Sequence, residues 1–188
     1  MRGSFKSGRR RGVHFDLVLQ ALEILRRTSF HAKTRNEREL EHTMVTALSS
    51  NEELRPHILT QLHQDPVEKV APADLLGFQH RPDAAIGRDG TALELKIIKS
   101  SQDIRLALGQ AMVYRIAYRF VIMVLMDKTN DQRMLERAVD SDRPGNKMLA
   151  GLADDFGIFT VVGPRTNINN KKRKEPDNLV FGLEEQQE

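Results

Sequence analysis

The 188-residue chain contains no cysteine, which excludes a disulfide framework, a thiolate nucleophile and any cysteine-bearing zinc site. A reducing, cytoplasmic setting suits that composition. Long apolar runs are missing too. The longest, residues 120–126, falls far short of the roughly 20 residues a membrane-spanning helix needs. The apolar stretch 13–25 is interrupted by His14, Asp16, Gln20 and Glu23, which argues against the core of a secretion signal. No membrane partner is expected. The six histidines (His14, His31, His42, His57, His63 and His80) never recur at the four-residue spacing of a zinc-binding helix. Phosphate-loop, dinucleotide and nucleophile-elbow glycine patterns are also absent, so nucleotide hydrolysis and serine-esterase chemistry lack their usual equipment.

Net charge is small and uneven in placement. The chain carries +3 overall, yet Arg2, Lys6, Arg9, Arg10 and Arg11 give residues 1–12 a charge of +5 and leave −2 for the rest. A basic flexible arm of this kind suits phosphate contact, or else simply aids solubility. A second basic run, residues 171–174, is offset by Glu175, Asp177, Glu184, Glu185 and Glu188 in a polar tail.

What is present concentrates in residues 82–96, PDAAIGRDGTALELK. Asp83 opens a short apolar segment, Asp89-Gly90 marks a turn, and residues 91–98 read as a buried strand. Glu94 and Lys96 are two apart, so strand periodicity sends both to one face. The hairpin brings Asp83 beside them. Two carboxylates and an amine then converge, the side chains needed to hold a hard divalent cation beside a phosphodiester.

Helical periodicity covers residues 13–27, with Phe15, Val18, Leu22 and Leu25 on one stripe, and residues 35–49, with Leu40, Met44, Ala47 and Leu48 inward. The first stripe suits either a core element or a subunit interface. Residues 52–64 read as a short helix that tolerates Pro56, and 75–80 as a first short strand. A helix over 101–119, a strand over 119–126, short helices at 131–139 and 145–154, and a strand over 156–162 follow. The pattern predicts an α/β domain over residues 13–163, a mixed central β-sheet flanked by helices. Residues 164–188 read as a loosely ordered tail, apart from the apolar segment 179–183.

Pro82-Asp83 followed by Glu94-Leu95-Lys96 resembles the PD-(D/E)xK nuclease superfamily, which includes restriction enzymes, junction resolvases and RecB-type nucleases. Gln110 and Tyr114, four apart on the next helix, are similar to the RecB-type Gln-x-x-x-Tyr pair. Glu37-Arg-Glu-Leu40 resembles the first-helix motif of archaeal resolvases. The resemblance spans roughly residues 35–126 and implies a restriction-endonuclease-like core. It also implies an Mg²⁺-dependent deoxyribonuclease, with Mn²⁺ able to substitute and RNA left open as a substrate. Asp83, Glu94, the Leu95 carbonyl and Glu37 would serve the metal, with Glu41 the other candidate for the helix acid. Lys96 would serve the attacking water, and Gln110 and Tyr114 would approach the water or the backbone. Arg9, Arg10, Arg11 and Lys99 would contact nucleic acid. A homodimer would suit cutting of both strands, with the 13–27 stripe as its interface. The competing reading is a module that keeps the fold for binding or assembly without catalysis.

Overall fold

A computed structural model describes residues 10–30, 36–61, 69–129, 133–164 and 178–183. The centre of the molecule is a six-stranded mixed sheet in the order β1-β4-β5-β6-β7-β8. Its strands are β1 (Ile58–Thr60), β4 (Ala84–Ile86), β5 (Thr91–Ile98), β6 (Phe120–Asp127), β7 (Ile158–Gly163) and β8 (Leu179–Phe181). β5, β6 and β7 run parallel, and the flanking pairs are antiparallel. A separate hairpin of β2 (Ala73–Leu75) and β3 (Phe78–His80) precedes β4. The expected α/β architecture, a mixed sheet flanked by helices, is therefore the one found.

Burial explains the layers. β6 is apolar from Phe120 to Met126 and buried along its whole length, as a parallel strand covered on both faces must be. On one face, α1 (Val13–Arg27) buries Leu17, Val18, Ala21, Leu22 and Leu25, and α2 (Glu37–Ser49) buries Leu40, Met44 and Leu48. They pack on Leu93, Leu95, Ile97 and alternate residues of β6. On the other face, α3 (Ser101–Tyr114) presents Ala107, Ala111 and Tyr114 to Ala92, Val121 and Met123. The short helix α4 (Arg133–Ala138) and α5 (Pro144–Phe156) form the connection to β7. The α1 stripe lies in the core, so the expected homodimer loses the interface assigned to it.

The β4–β5 hairpin turns through residues 87–90. Only glycine fits at position 90, because a Cβ there would stand 2.3 Å from the Ile86 carbonyl oxygen.

Four segments differ from expectation. Residues 75–80 are not one strand: the turn at Leu76 and Gly77 separates β2 from β3. Residues 52–61 are not an α-helix, and 62–64 lie outside the described residues. The Asn51 side chain accepts from the amides of Glu53 and Leu54, Pro56 sits in a 3-10 turn (Arg55–His57), and the chain then pairs with β4 as β1. The helix over 101–119 stops at Tyr114. Beyond it the buried Arg115 guanidinium donates to the carbonyls of Phe156 and Tyr118, and residues 115–117 form turns. Within the expected tail, β8 closes the sheet, with Asn178 donating to the Leu25 and Thr28 carbonyls at 2.8 and 2.9 Å.

Candidate functional site

The site forms where β4 runs out. Ala84 pairs with Leu93, so Asp83 would next face Glu94. Backbone pairing ends there, and the Asp83 carboxylate replaces it, with Oδ2 accepting from the Leu95 N–H at 2.7 Å. The aspartate thus satisfies an amide of a central strand that has lost its neighbour. Leu95 itself packs into the core beneath α1 and α2.

Glu94 is only 3 % exposed. The Tyr114 hydroxyl donates to its Oε2 at 3.0 Å and also lies 3.1 Å from the Arg81 carbonyl oxygen. One phenolic proton cannot fully serve both acceptors. Lys96, two residues on, reaches back to α2. Its Nζ donates to Glu37 Oε1 at 2.9 Å and stands 3.8 Å from Glu94 Oε1. Glu37 opens α2 behind the capping residue Asn36, whose side chain accepts from the Arg38 amide. An acid in that first turn is favoured by the helix dipole. Glu41, one turn later, acts on Asp83 through its charge. The two helix acids therefore divide the approach, Glu37 by contact with Lys96 and Glu41 through its field.

The electrostatics are one-sided. Burial pushes the Asp83 carboxyl up, and the charge of Glu94 adds to this against the pull of the Leu95 amide. Burial likewise raises Glu94, while the Tyr114 hydroxyl and Lys96 oppose it. Glu41 is raised by burial and then by the charge of Glu37. Burial works to lower Lys96, but the hydrogen bond and charge of Glu37, with Glu94 and Asp83, outweigh it and hold the ammonium above its ordinary value. Burial and the Glu94 charge also raise Tyr114, which stays a protonated donor. Four acids thus share one ammonium, and the pocket is short of positive charge.

Among the described residues, no three His, Asp or Glu side chains stand in a ready-made metal cluster. What the site offers is the Asp83–Glu94 pair. One turn before Tyr114 on α3, Gln110 holds a buried Oε1 without a hydrogen-bond partner.

The residues expected to contact nucleic acid are scattered. Lys99 is exposed at the end of β5, on the rim of a cavity of about 550 Å³ that Arg133 and Arg137 also line. Arg9 lies outside the described residues, and Arg11 is exposed. Arg10 corrects the expectation of a free arm. It pairs with Asp154 at 2.7 Å, donates to the Gly182 carbonyl and lies over the Phe159 ring at 5.7 Å. Its charge is spent on the body of the protein.

One supporting residue had no signal in the sequence. The Gln61 side-chain amide donates to the Pro82 carbonyl at 2.9 Å, fixing the backbone that enters Asp83. It follows β1, a strand formed by a stretch that reads as helix.

Comparison with protein-family models, with curated proteins and with solved structures returned no match for this chain.

Proposed function

We propose that this protein is a divalent-metal-dependent nuclease with a restriction-endonuclease-like core, acting on DNA through Asp83, Glu94 and Lys96. The observation that carries the reading is the pairing of the buried Glu94 carboxylate with the half-buried Asp83 carboxylate at the broken edge of β5, with an ammonium 3.8 Å from Glu94. Buried carboxylates raise each other's pKa when no cation lies between them. A bound Mg²⁺ is the charge such a pair lacks, and the all-oxygen donors match its preference. The partnerless Gln110 Oε1 adds an acceptor near Tyr114. The residues present therefore fit the ion: Asp83 and Glu94 would hold it, with Glu41 or Glu37 beyond. When bound, it would supply Lewis-acid stabilisation of phosphate charge and a more acidic water.

The chain's own groups do the remainder. Tyr114 holds the Glu94 carboxylate in one orientation by donating to Oε2. Asp83 is fixed by the Leu95 amide, so one of its oxygens is committed to the backbone and the other is left for a ligand. Lys96, whose ammonium is favoured by Glu37, Glu94 and Asp83, would orient the attacking water and offset charge on the phosphate. Substrate phosphate would compete with Glu37 for the ammonium. Glu37 holds Lys96 in place until then.

The test is cleavage of plasmid, linear and branched DNA with Mg²⁺. Loss of turnover in the Asp83→Ala, Lys96→Ala double variant supports the assignment; turnover that survives both changes rejects it. The other reading, a nuclease-like fold without catalysis, is favoured by the lack of a three-ligand cluster among the described residues. It requires that no carboxylate-dependent metal binding be found.

A further inference from the structure

The β2–β3 hairpin carries side chains that its own fold does not need. Its base leans on α3, where Ala73 is fully buried. Ala73 pairs with His80 and Leu75 with Phe78, so these four side chains lie on one face, that of α3. The face continues outward as an apolar ledge. Leu75 is 39 % exposed, Phe78 72 % and Leu76, at the tip, 90 %.

The tip is also strained. A two-residue loop joins Leu75 to Phe78, with φ of 55° at Leu76 and 83° at Gly77. Such a turn demands two left-handed residues in succession, and its first position favours Asn, Asp or Gly. A leucine there is held in a backbone conformation that its Cβ disfavours, and it recovers nothing by burial. Asp74 fastens the turn, with Oδ1 accepting from the Gly77 amide at 3.2 Å. The chain thus holds a large apolar side chain in water on a tightly fixed support. Function is the usual reason for such an outlier.

The hairpin's position supplies its occupant. Only Arg81 and Pro82 separate β3 from Asp83. The Arg81 carbonyl lies 3.1 Å from the Tyr114 hydroxyl, and the Arg81 guanidinium braces the hairpin by donating to the Val70 carbonyl and Gln79 Oε1. Anything held at Asp83 and Glu94 therefore lies beside the hairpin's base. Three side chains on so short a hairpin cannot cover the roughly 800 Å² per partner of a stable protein interface. They do match a narrow apolar slot, such as the gap between stacked bases, where leucine and phenylalanine wedges are used. Resting on the nuclease reading above, we infer that Leu76 and Phe78 form a wedge that inserts between bases of the nucleic acid bound at the Asp83–Glu94 site, unstacking a step a few base pairs from the phosphate that is cut.

The test uses the full chain and the single variants Leu76→Asn and Phe78→Ser. Binding is followed by anisotropy of a fluorescein-labelled 30-base-pair duplex and of its single strand, with Ca²⁺ present. Unstacking is followed on matched duplexes in which 2-aminopurine replaces one adenine at a time. The wild-type protein should bind and brighten 2-aminopurine at one or two neighbouring positions. Leu76→Asn places a favoured residue in the turn, so its Tm should hold or rise. Its DNA affinity should nevertheless fall about tenfold or more, and the brightening should vanish. The slope of log affinity against log salt should stay unchanged, because no phosphate contact is removed. Phe78→Ser should behave alike in binding. Unchanged affinity and brightening in both variants would overturn the wedge while leaving the nuclease reading intact. Absence of any DNA binding by wild type would overturn both. A wild-type dimer in sedimentation that Leu76→Asn disperses, with DNA affinity unaltered, would assign the ledge to a second copy of the chain instead.

Discussion

Replacing Glu94 by glutamine should make the metal-free protein more stable at neutral pH. The carboxyl is buried and raised from 4.5 to about 7. The sign follows from linkage: a carboxyl with a raised folded pKa contributes stability that is complete below about pH 4.5 and is lost as pH rises toward 7. At about 1.4 kcal/mol per pH unit, the loss by neutrality is about 3 kcal/mol. Glutamine cannot ionise, and its carbonyl oxygen can still accept from Tyr114. It forfeits the attraction to Lys96, which returns part of the gain. A net stabilisation of about 1–3 kcal/mol at pH 7.5 is expected, shrinking below about 1 kcal/mol at pH 5. Urea denaturation in EDTA at the two pH values measures it directly. Added Mg²⁺ should stabilise wild type at pH 7.5 and leave Glu94→Gln unmoved. A variant equally destabilised at both pH values, with and without Mg²⁺, would refute the picture of a pocket short of positive charge.

Three further outcomes follow from the same contacts. Tyr114→Phe removes the donor shared by Glu94 and the Arg81 carbonyl; it should cost about 1–3 kcal/mol in chemical denaturation and shift any cleavage pH profile upward by freeing Glu94 to hold its proton. Arg10→Ala should lower stability by about 0.5–1.5 kcal/mol through the lost ion pair and ring contact. It should leave the salt slope of DNA binding unchanged, and a reduced slope would reinstate Arg10 as a phosphate contact. Gly90→Ala should cost about 2 kcal/mol or more, because its Cβ would meet backbone rather than a movable side chain. An unaltered unfolding midpoint would show that the hairpin turn is looser than described.

Where the determining contacts are near in sequence, the chain could be read directly. α1 matches residues 13–27 because its stripe recurs faithfully at helical spacing. The β4–β5 hairpin and the convergence of Asp83 with Glu94 follow from a period of two and a short turn. Contacts fixed by tertiary placement were hidden. Leu54, Ile58, Leu59 and Leu62 mimic a helical face, yet residues 58–60 gain more by pairing with β4. The end of α3 depends on Arg115 finding the Phe156 carbonyl 41 residues away. The Lys96–Glu37 bond depends on where α2 docks, 59 residues from the strand. Composition alone made Arg10 part of an arm; its partners Asp154 and Phe159 lie on α5 and β7.

The most direct test of ion capture by Asp83 and Glu94 is an anomalous difference map from a crystal of the wild-type protein soaked in Mn²⁺. A single strong peak within bonding distance of both carboxylates, absent from Asp83→Asn crystals, is the expected result. A map with no peak there at saturating Mn²⁺, or a peak that persists without the Asp83 carboxylate, would contradict it.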